Sequence, residues 1–404
     1  MRPYGKRRLM SCAAFVAASA VLAGCGSSGS QGAGGGASGS GSSGSGAGTG
    51  SASAGSDPVA AGLAMAEQQV AKLSATTATY PVPTASVSGT AKFKGRTVYY
   101  IPLVQQIPGF VVTAATMKTA LAKAGLSLQV CNGQGQPSAV AACVQQAVGA
   151  NAAGIITDAI EYGMAKNALD AAKAKGVPIV VADQIPPTGT ANDNALTYVP
   201  GAVDQPSQIA WWLIADSKGK GNEIIAAEAD STSSMTYVTD SEPIYAKYCP
   251  DCKITVKTIT ATTDALLASA TSSNVLSNPG ATYYYTEFED SLQDTVQGLQ
   301  QSGRASSMSL SVAGGSVNGL GLLKGDSVVK AVVAVDQPYA GWALTDEILR
   351  MMTKSGPVTE TFPTRLFTKQ NIGSVQVTPA AQASGEWFGD SSFEAAFAKL
   401  WGQG

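Results

Sequence analysis

A series of short apolar segments at nearly constant spacing is the feature that most constrains how this chain folds. These segments begin at residues 97, 126, 153 and 177, so their starts are 29, 27 and 24 residues apart. Each interval can hold one strand and one helix. Two of the helices are predicted to end before Gly125 and Gly176, because glycine commonly follows the last helical turn. Uninterrupted apolar strands that alternate with amphipathic helices indicate a parallel sheet covered on both faces.

The alternation continues through the second half of the chain, which predicts a second parallel-sheet domain and therefore an α/β protein. Ser138 is expected to cap the second helix of the first half. Trp211 and Trp212 fall within a predicted helix and are expected to be core residues. The predicted strands are 97–104, 126–131, 153–158, 177–183, 222–229, 253–259, 281–288, 308–313, 329–335 and 365–370, and the predicted helices include 57–75, 110–124, 164–175, 290–301, 339–354 and 393–400.

The first 56 residues differ in composition from the rest of the chain. Residues 1–24 have a basic start, a short apolar stretch and small residues, which is the order of a secretory signal peptide. The stretch Leu-Ala-Gly-Cys that ends at Cys25 is similar to a bacterial lipobox and predicts that Cys25 carries a lipid anchor. The alternative is an ordinary signal peptide with a chance cysteine. Residues 25–56 are predicted to be a flexible tether, because 24 of the 31 residues from 26 to 56 are Gly or Ser.

Charge and composition exclude several classes of protein. The chain has 26 basic and 28 acidic residues, and removal of the leader with its four basic residues leaves 22 basic residues. No basic run follows Arg8, so nucleic acid is not an expected partner. The chain has no histidine, which excludes Ser-His-Asp and Cys-His hydrolases and histidine-ligated zinc. We therefore expect a protein that is not an enzyme and has no cofactor or metal.

The four cysteines that follow Cys25 predict two disulfides, since an even number in an exported chain favours pairing. The short sequence separations favour Cys131–Cys143 and Cys249–Cys252. The Cys-Pro-Asp-Cys run has two alternative interpretations, a redox motif or half of a zinc site. A redox motif opens a helix after a strand, whereas this run follows a helical stretch and precedes a strand, and a zinc site would need two further ligands.

Polar side chains follow the predicted strands at their carboxyl ends, where an open parallel sheet binds its ligands. Amides, carboxylates and aromatic rings together suit a ligand with hydroxyl groups and an apolar face. The alternative is that these residues cap the following helices or turn the chain, and for Asp158 both interpretations have equal weight. The candidate ligand-binding residues are Gln105, Gln106, Phe110, Asp158, Asp183, Gln184, Glu287, Phe288 and Asp336.

Several stretches at matching order and spacing carry a resemblance to a known family. They are residues 99–103 (Tyr-Tyr-Ile-Pro-Leu), 153–158 (Ala-Gly-Ile-Ile-Thr-Asp), 176–183 (Gly-Val-Pro-Ile-Val-Val-Ala-Asp), 335–338 (Val-Asp-Gln-Pro) and 366–371 (Leu-Phe-Thr-Lys-Gln-Asn). From about residue 96 to 375 the chain resembles class I periplasmic binding proteins of the ribose- and galactose-binding type, which serve ABC importers.

The resemblance implies two doubly wound parallel-sheet lobes joined by a hinge of three crossing segments, with the ligand between the lobes. The implied lobes are 96–198 plus 337–362 and 199–336 plus 363–380. Two segments lie outside the implied lobes. They are an N-terminal helix with a linker at 57–95 and a C-terminal tail with a short helix at 381–404.

Four positions depart from the sugar-binding pattern of the family. Such proteins often have arginine at two places where this chain has Gln184 and the stretch 234–237. They often have asparagine at the position of Glu287, and aspartate at the position of Gly314. The ligand is therefore expected to be a sugar, a polyol or an amine-bearing molecule. A bare carboxylate is disfavoured, because no cationic residue is placed to receive it.

The function expected from the sequence is that of a monomeric solute-binding lipoprotein on the outer face of the cell membrane. It would bind a small polar ligand and deliver it to an ABC permease. The alternative is a sensor that presents its ligand-bound state to a signalling receptor. An enzyme on the same fold is disfavoured, because the sequence offers no nucleophile with a matching base.

Overall fold

Within residues 58–260 and 265–403, which the computed structural model describes, eleven strands form two sheets. The strands are β1 Thr97–Pro102, β2 Ser127–Val130, β3 Gly154–Asp158, β4 Ile179–Ala182, β5 Leu196–Val199, β6 Asn222–Glu228, β7 Lys253–Ile259, β8 Tyr283–Thr286, β9 Ser309–Gly314, β10 Val329–Val335 and β11 Thr364–Thr368. The helices are α1 Pro58–Ser74, α2 Pro108–Lys123, α3 Pro137–Gly149, α4 Lys166–Ala174, α5 Gln205–Asp216, α6 Thr232–Tyr248, α7 Leu267–Ser277, α8 Leu292–Gln301, α9 Val317–Lys324, α10 Gln337–Thr353, α11 Pro379–Ser384 and α12 Ser392–Leu400. None of the helices in these ranges is long and apolar enough to cross a membrane. The predicted leader, Cys25 and the tether lie outside the described residues.

Lobe 1 is built on the five-stranded sheet, whose strand order is β2-β1-β3-β4-β5 with every neighbouring pair parallel. β3 and β4 are buried along their whole length, as expected for strands covered on both faces. Helices α3 and α4 pack on one face through Val144 and Leu169. Helices α2 and α10 cover the other face through Met117 and Trp342.

Lobe 2 is built on the six-stranded sheet, whose order is β11-β10-β9-β8-β6-β7. Helices α8 and α9 cover one face through Leu299 and Leu320, and α1, α5 and α6 cover the other. Trp212 of α5 is buried in that second layer, as predicted, and Trp211 is only partly buried there. Together the two lobes confirm the predicted fold class.

Three details of the elements differ from the prediction. β5 has no predicted counterpart, because it has four residues and follows a long polar loop rich in Pro, Thr and Asn. Ser138 is not the N-cap of α3, so that prediction is wrong: the N-cap is Gln136, and Pro137 opens the helix, where a missing N–H costs nothing. β11 runs antiparallel to β10, because the chain re-enters lobe 2 from the hinge, at the end where β10 leaves it.

Both predicted disulfides are present in the structure. Cys131, just after β2, is bonded to Cys143 of α3, with 5.7 Å between their Cα atoms. Cys249 and Cys252 bond across the short connection between α6 and β7, with 5.3 Å between their Cα atoms. The four described cysteines are therefore all paired, and each bond lies within one lobe.

Five chain segments pass between the lobes, two more than the resemblance implies. Three connect β5 to α5, β10 to α10, and α10 to β11. The fourth is the linker after α1: α1 packs in the core of lobe 2 through Ala66, whereas Val87 belongs to the core of lobe 1. The fifth is the C-terminal tail, with Phe388 in the core of lobe 2 and Phe397 in that of lobe 1. We call residues 75–89 and 388–401 together the terminal brace.

The two parts of the terminal brace are bonded to each other and to α10. The N–H of Thr77 donates to the carbonyl of Phe388 at 2.7 Å, and the N–H of Val87 donates to that of Leu400 at 2.8 Å. The Trp401 indole stacks on Trp342 with 5.4 Å between ring centroids. Its Nε1 also donates to the buried carboxylate of Asp346, at 2.6 Å. The brace therefore covers the hinge as part of the packed interior.

Candidate functional site

The lobes meet where the carboxyl ends of their sheets face each other. Three hydrogen bonds join the loops after β3 and β4 of lobe 1 to the start of α6 in lobe 2. The N–H of Thr232 donates to Oε1 of Glu161 at 2.6 Å. The N–H of Ile185 donates to Oγ of Ser233 at 2.9 Å, and that hydroxyl donates to Oε1 of Gln184 at 3.0 Å. Gln184 is thereby placed at the contact between lobes.

Asp158 and Asp183 form an acidic pair at the carboxyl edge of lobe 1. Asp158 ends β3 beside Ala182, the last residue of β4, so Asp183 lies next to it. Burial raises the pKa of Asp158, and the hydrogen bonds with Asp183 and with the Tyr100 hydroxyl, the latter at 2.5 Å, offset part of this rise. Burial raises the pKa of Asp183 well above its usual range, and the neighbouring charge of Asp158 adds to this rise. The pair therefore holds a proton to a higher pH than two separate exposed aspartates would.

Gly201 fixes the position of Asp183 from the hinge side. A Cβ atom on Gly201 would lie 2.0 Å from Oδ1 of Asp183 and 3.2 Å from the ring of Phe362. Gly201 also has a φ of +72°, which favours glycine. The crossing from β5 to α5 thus passes directly against the Asp183 carboxyl group.

Glu287 brings a third carboxyl group to the site from lobe 2, just after β8. It is 2 % exposed, and its Oε2 accepts a hydrogen bond from the N–H of Glu228 at 2.9 Å. Burial raises its pKa, while Ser234 and that N–H oppose the rise. Tyr237 of α6 lies near acids of both lobes. Burial raises its pKa, and the charges of Asp183 and, more weakly, Glu287 add to this rise. Asp158, Asp183, Tyr237 and Glu287 are hereafter the acidic cluster.

The other predicted residues occupy different surroundings. Gln105 and Gln106 are exposed and contact Asn132: the N–H of Gln105 donates to Asn132 Oδ1 at 3.0 Å, and Asn132 Nδ2 donates to Gln106 Oε1 at 3.4 Å. Phe110 is half-buried in the first turn of α2, and Phe288 is 37 % exposed after Glu287. Both rings are at the carboxyl ends of strands without belonging to the acidic cluster.

Asp336 is bonded within the hinge, apart from the acidic cluster. It is fully buried. Its Oδ1 accepts from the N–H of Tyr339 at the start of α10, and its Oδ2 accepts from the hydroxyl of Tyr80 in the terminal brace at 3.1 Å. Burial raises its pKa to about 7, although these two hydrogen bonds act to lower it. Since both oxygens have partners within the protein, this geometry favours the capping interpretation for Asp336.

Ser233, Tyr237 and Gly201 belong to the site but are absent from the sequence-based candidates. Tyr237 lies in the stretch where sugar-binding relatives often have arginine, and this was the available signal. Gly201 follows a strand that was not predicted. Near Gly314, where relatives often have aspartate, Glu289 supplies a carboxylate instead, but its Oε1 accepts from the Ser316 hydroxyl and from the N–H of Gly319 at 2.8 Å.

The described residues provide no cation for the acidic cluster. Its four members take part in none of the ion pairs found within residues 58–260 and 265–403. No group of His, Cys, Asp and Glu residues in the described ranges is arranged to hold a metal ion. The cluster can therefore accept and donate hydrogen bonds but does not balance negative charge internally.

Comparison with known families identifies the scaffold. The model of the periplasmic binding protein domain matches residues 98–355, more than half of the chain. The chain belongs to this periplasmic binding protein family. The match spans both lobes up to the end of α10 and leaves out α1, β11 and the whole terminal brace.

Solved structures of periplasmic binding proteins share this fold at low sequence identity. The 5-methylthioribose transporter solute-binding protein of Thermotoga lettingae, in complex with 5-methylthioribose, has a TM-score of 0.64 and 15% identity over 78% of this chain and 99% of that one. A sugar ABC transporter protein of Yersinia enterocolitica has a TM-score of 0.63 and 19% identity over 80% and 98%. An ABC transporter solute-binding protein of Agrobacterium vitis with bound allitol has a TM-score of 0.58 and 15% identity over 70% and 98%. A search of curated proteins found no match.

Proposed function

We propose that this chain is an extracytoplasmic solute-binding protein that captures a small polar ligand of the sugar or polyol type between its lobes and delivers it to an ABC permease. The observation that carries the proposal is the acidic cluster, which draws on both lobes of a periplasmic binding fold. The sugar and polyol ligands of the structural relatives support the ligand class.

Ligand capture would couple to closure of the lobes. A ligand that contacts Asp183 and Glu287 gains its full set of hydrogen bonds only when the lobes are together, so it favours the closed state by that difference in affinity. Segments that cross between the lobes act as the hinge. A permease can then distinguish loaded from empty protein by shape.

The proposed attachment to the cell surface is through a lipid on Cys25, with residues 25–56 as the tether. The basic leader, the apolar stretch and the lipobox-like ending support this assignment. A tether of about 30 residues has an r.m.s. reach of roughly 30 Å as a flexible coil. The protein would therefore act close to the membrane that holds its permease.

A screen of ligands by thermal unfolding tests the proposed function. The purified full chain in detergent would be heated with sugars, polyols, nucleosides and amines, and unfolding would be followed by tryptophan fluorescence. A true ligand at 100 times its Kd should stabilise the protein by about 2.7 kcal/mol. If no small polar molecule raises the melting temperature, the proposal is wrong.

A sensor that presents its ligand-bound state to a signalling receptor is the second candidate function. Both functions use the same ligand site, so the ligand screen does not separate them. Uptake of the identified ligand by cells lacking the protein does: loss of uptake supports transport, and unchanged uptake with loss of a transcriptional response supports sensing.

A further inference from the structure

The acidic cluster brings three carboxyl groups together, and no cation among the described residues pairs with them. Asp158 and Glu287 are each 2 % exposed. The carboxyl groups of Asp158 and Asp183 are hydrogen-bonded to each other, which needs a proton on one of them, and Glu287 accepts from the N–H of Glu228 and from Ser234. Asp183 is partly exposed beside Asp158. Three carboxyl groups therefore lie at the strand ends where the two lobes meet, and bound protons rather than a cation from the described residues offset their charge.

The ionised form of this cluster is costly without a partner. A buried carboxylate that lacks a compensating charge gains a proton instead of remaining ionised. The raised pKa values of Asp158, Asp183 and Glu287 agree with this expectation. The empty cluster is therefore expected to hold protons to a higher pH than exposed carboxyl groups do, and a suitable ligand can replace those protons.

Different ligands would satisfy the cluster to different degrees. A neutral sugar or polyol donates hydroxyl hydrogens but leaves the negative charge unbalanced. A carboxylate ligand adds further repulsion. A protonated amine donates up to three hydrogen bonds and also balances the charge, and such charge-assisted bonds are roughly twice as strong as neutral ones.

We propose that the ligand carries a protonated amine as well as hydroxyl groups, as an amino sugar or amino polyol does, and that its ammonium group lies against Asp183 and Asp158 with Glu287 on the opposite side. This inference rests on the proposed function and narrows its ligand class. Gln184, which stands where relatives often have arginine, supports it, because an arginine there would neutralise the acids and repel an amine.

Binding of an ammonium group would release protons from the cluster. The titratable groups that face this site are Tyr100 from β1, Asp158 from β3, Asp183 after β4, Tyr237 from α6, Tyr285 from β8 and Glu287 after β8. A bound cation stabilises the ionised carboxylates and lowers their pKa values, so the protein loses protons on binding. Affinity should therefore rise with pH, up to the pH at which the free amine loses its own proton.

Matched pairs of probes test the proposal directly. The full chain would be titrated by calorimetry with amino sugars and amino polyols of several stereochemistries, each beside its neutral parent and its N-acetyl form. D-glucosamine, D-glucose and N-acetyl-D-glucosamine make one such set. We expect the amine to bind at least tenfold more tightly than its parent and to release protons, measured in two buffers of different ionisation enthalpy.

The outcomes separate this inference from the function on which it rests. If a neutral sugar binds as tightly as its amine, or if binding releases no proton, the amine inference is wrong and the solute-binding function stands. If no probe of either kind binds, both are overturned.

Charge-neutral variants provide a second test. Asp183→Asn retains the size and hydrogen-bonding capacity of the side chain but removes its charge, so amine binding should weaken by at least tenfold. Asp240→Asn, on the exposed surface of the same helix as Tyr237, is the matched control and should bind as the parent does. An unchanged melting temperature of ligand-free Asp183→Asn verifies that the variant is folded. Equal amine affinity in Asp183→Asn and the parent would overturn the proposal.

Discussion

Replacing Gly201 with alanine should destabilise the protein and weaken ligand binding, because the added methyl group has no room beside Asp183. Its Cβ would lie 2.0 Å from Oδ1 of Asp183, far inside van der Waals contact. Alanine in a left-handed conformation costs roughly 1–2 kcal/mol, and overpacking costs typically about 1–3 kcal/mol. The unfolding free energy should therefore fall by about 2–5 kcal/mol.

Binding should respond to the same change for a separate reason. Relief of the contact requires the Asp183 side chain to move away from its observed position. Loss of its hydrogen bonds to a ligand costs roughly 1–3 kcal/mol, which corresponds to an affinity loss of about 5- to 150-fold. Urea denaturation and ligand titration of the same protein sample measure the two effects independently.

Gly189→Ala is the matched control for backbone strain. Gly189 also has a positive φ, +82°, but a Cβ there would contact nothing within 4 Å. It should lose only the roughly 1–2 kcal/mol of conformational cost and should bind ligand normally. The difference between the two alanine variants isolates the contact with Asp183.

A double variant tests the assignment of that contact. Asp183→Ala removes the carboxyl group that the new methyl would strike, so adding Gly201→Ala in that background should cost less than it does in the parent. Such non-additivity is expected only of residues that touch. Should Gly201→Ala behave like Gly189→Ala, or should the two changes simply add, the placement of Asp183 against the hinge is wrong.

Three further predictions concern other parts of the chain. Cys25→Ser should move the protein from the membrane fraction to the soluble fraction, and continued sedimentation with membranes would contradict the lipid anchor. Burial raises the pKa of Glu223 to about 8 from 4.5, so the stabilising contribution of its protonated form is present at low pH and is lost as pH rises through about 8. The unfolding free energy measured in urea should therefore fall less between about pH 5 and pH 9 in Glu223→Gln than in the parent, and an equal fall would show that Glu223 does not cause it. Trp401→Ala should lower the unfolding free energy by about 3–5 kcal/mol, because it opens a cavity against Trp342 and removes a hydrogen-bond donor from Asp346. A loss under about 1 kcal/mol, measured by chemical denaturation followed by circular dichroism, would mean that the terminal brace contributes little to stability.

The strands could be predicted from sequence because burial on both faces leaves a continuous apolar segment. β7 and β10 occupy the predicted residues, whereas β5 was missed because four residues after a polar loop give too short a signal. Asp158, Asp183 and Glu287 lie at strand ends, as predicted. They were selected by the rule that ligand residues follow strands. The same rule selected Asp336, whose partner Tyr80 is 256 residues away. Local sequence cannot distinguish a carboxylate that caps a helix from one that faces a ligand when the deciding contact is so remote.

Tyr237 and Ser233 illustrate a second limit. Each lies on α6, and its place in the site depends on how closely lobe 2 approaches lobe 1 at Gln184. That approach is set by five crossing segments from distant parts of the chain. Residues whose role depends on the relative position of two lobes have no local signature, in contrast to residues that follow a strand.

The terminal brace also has a consequence for the order in which this protein folds. The strands of lobe 1 are contiguous, but its core is completed by Trp342 and by Phe397 and Trp401 at the end of the chain. A nascent chain that has emerged only as far as β5 therefore has α2 but lacks the rest of one covering layer of its first sheet. Contacts of such long sequence separation form slowly. Lobe 1 should accordingly reach its full stability only after residues 388–401 are available, which favours a partly synthesised chain that is loose enough to pass across a membrane.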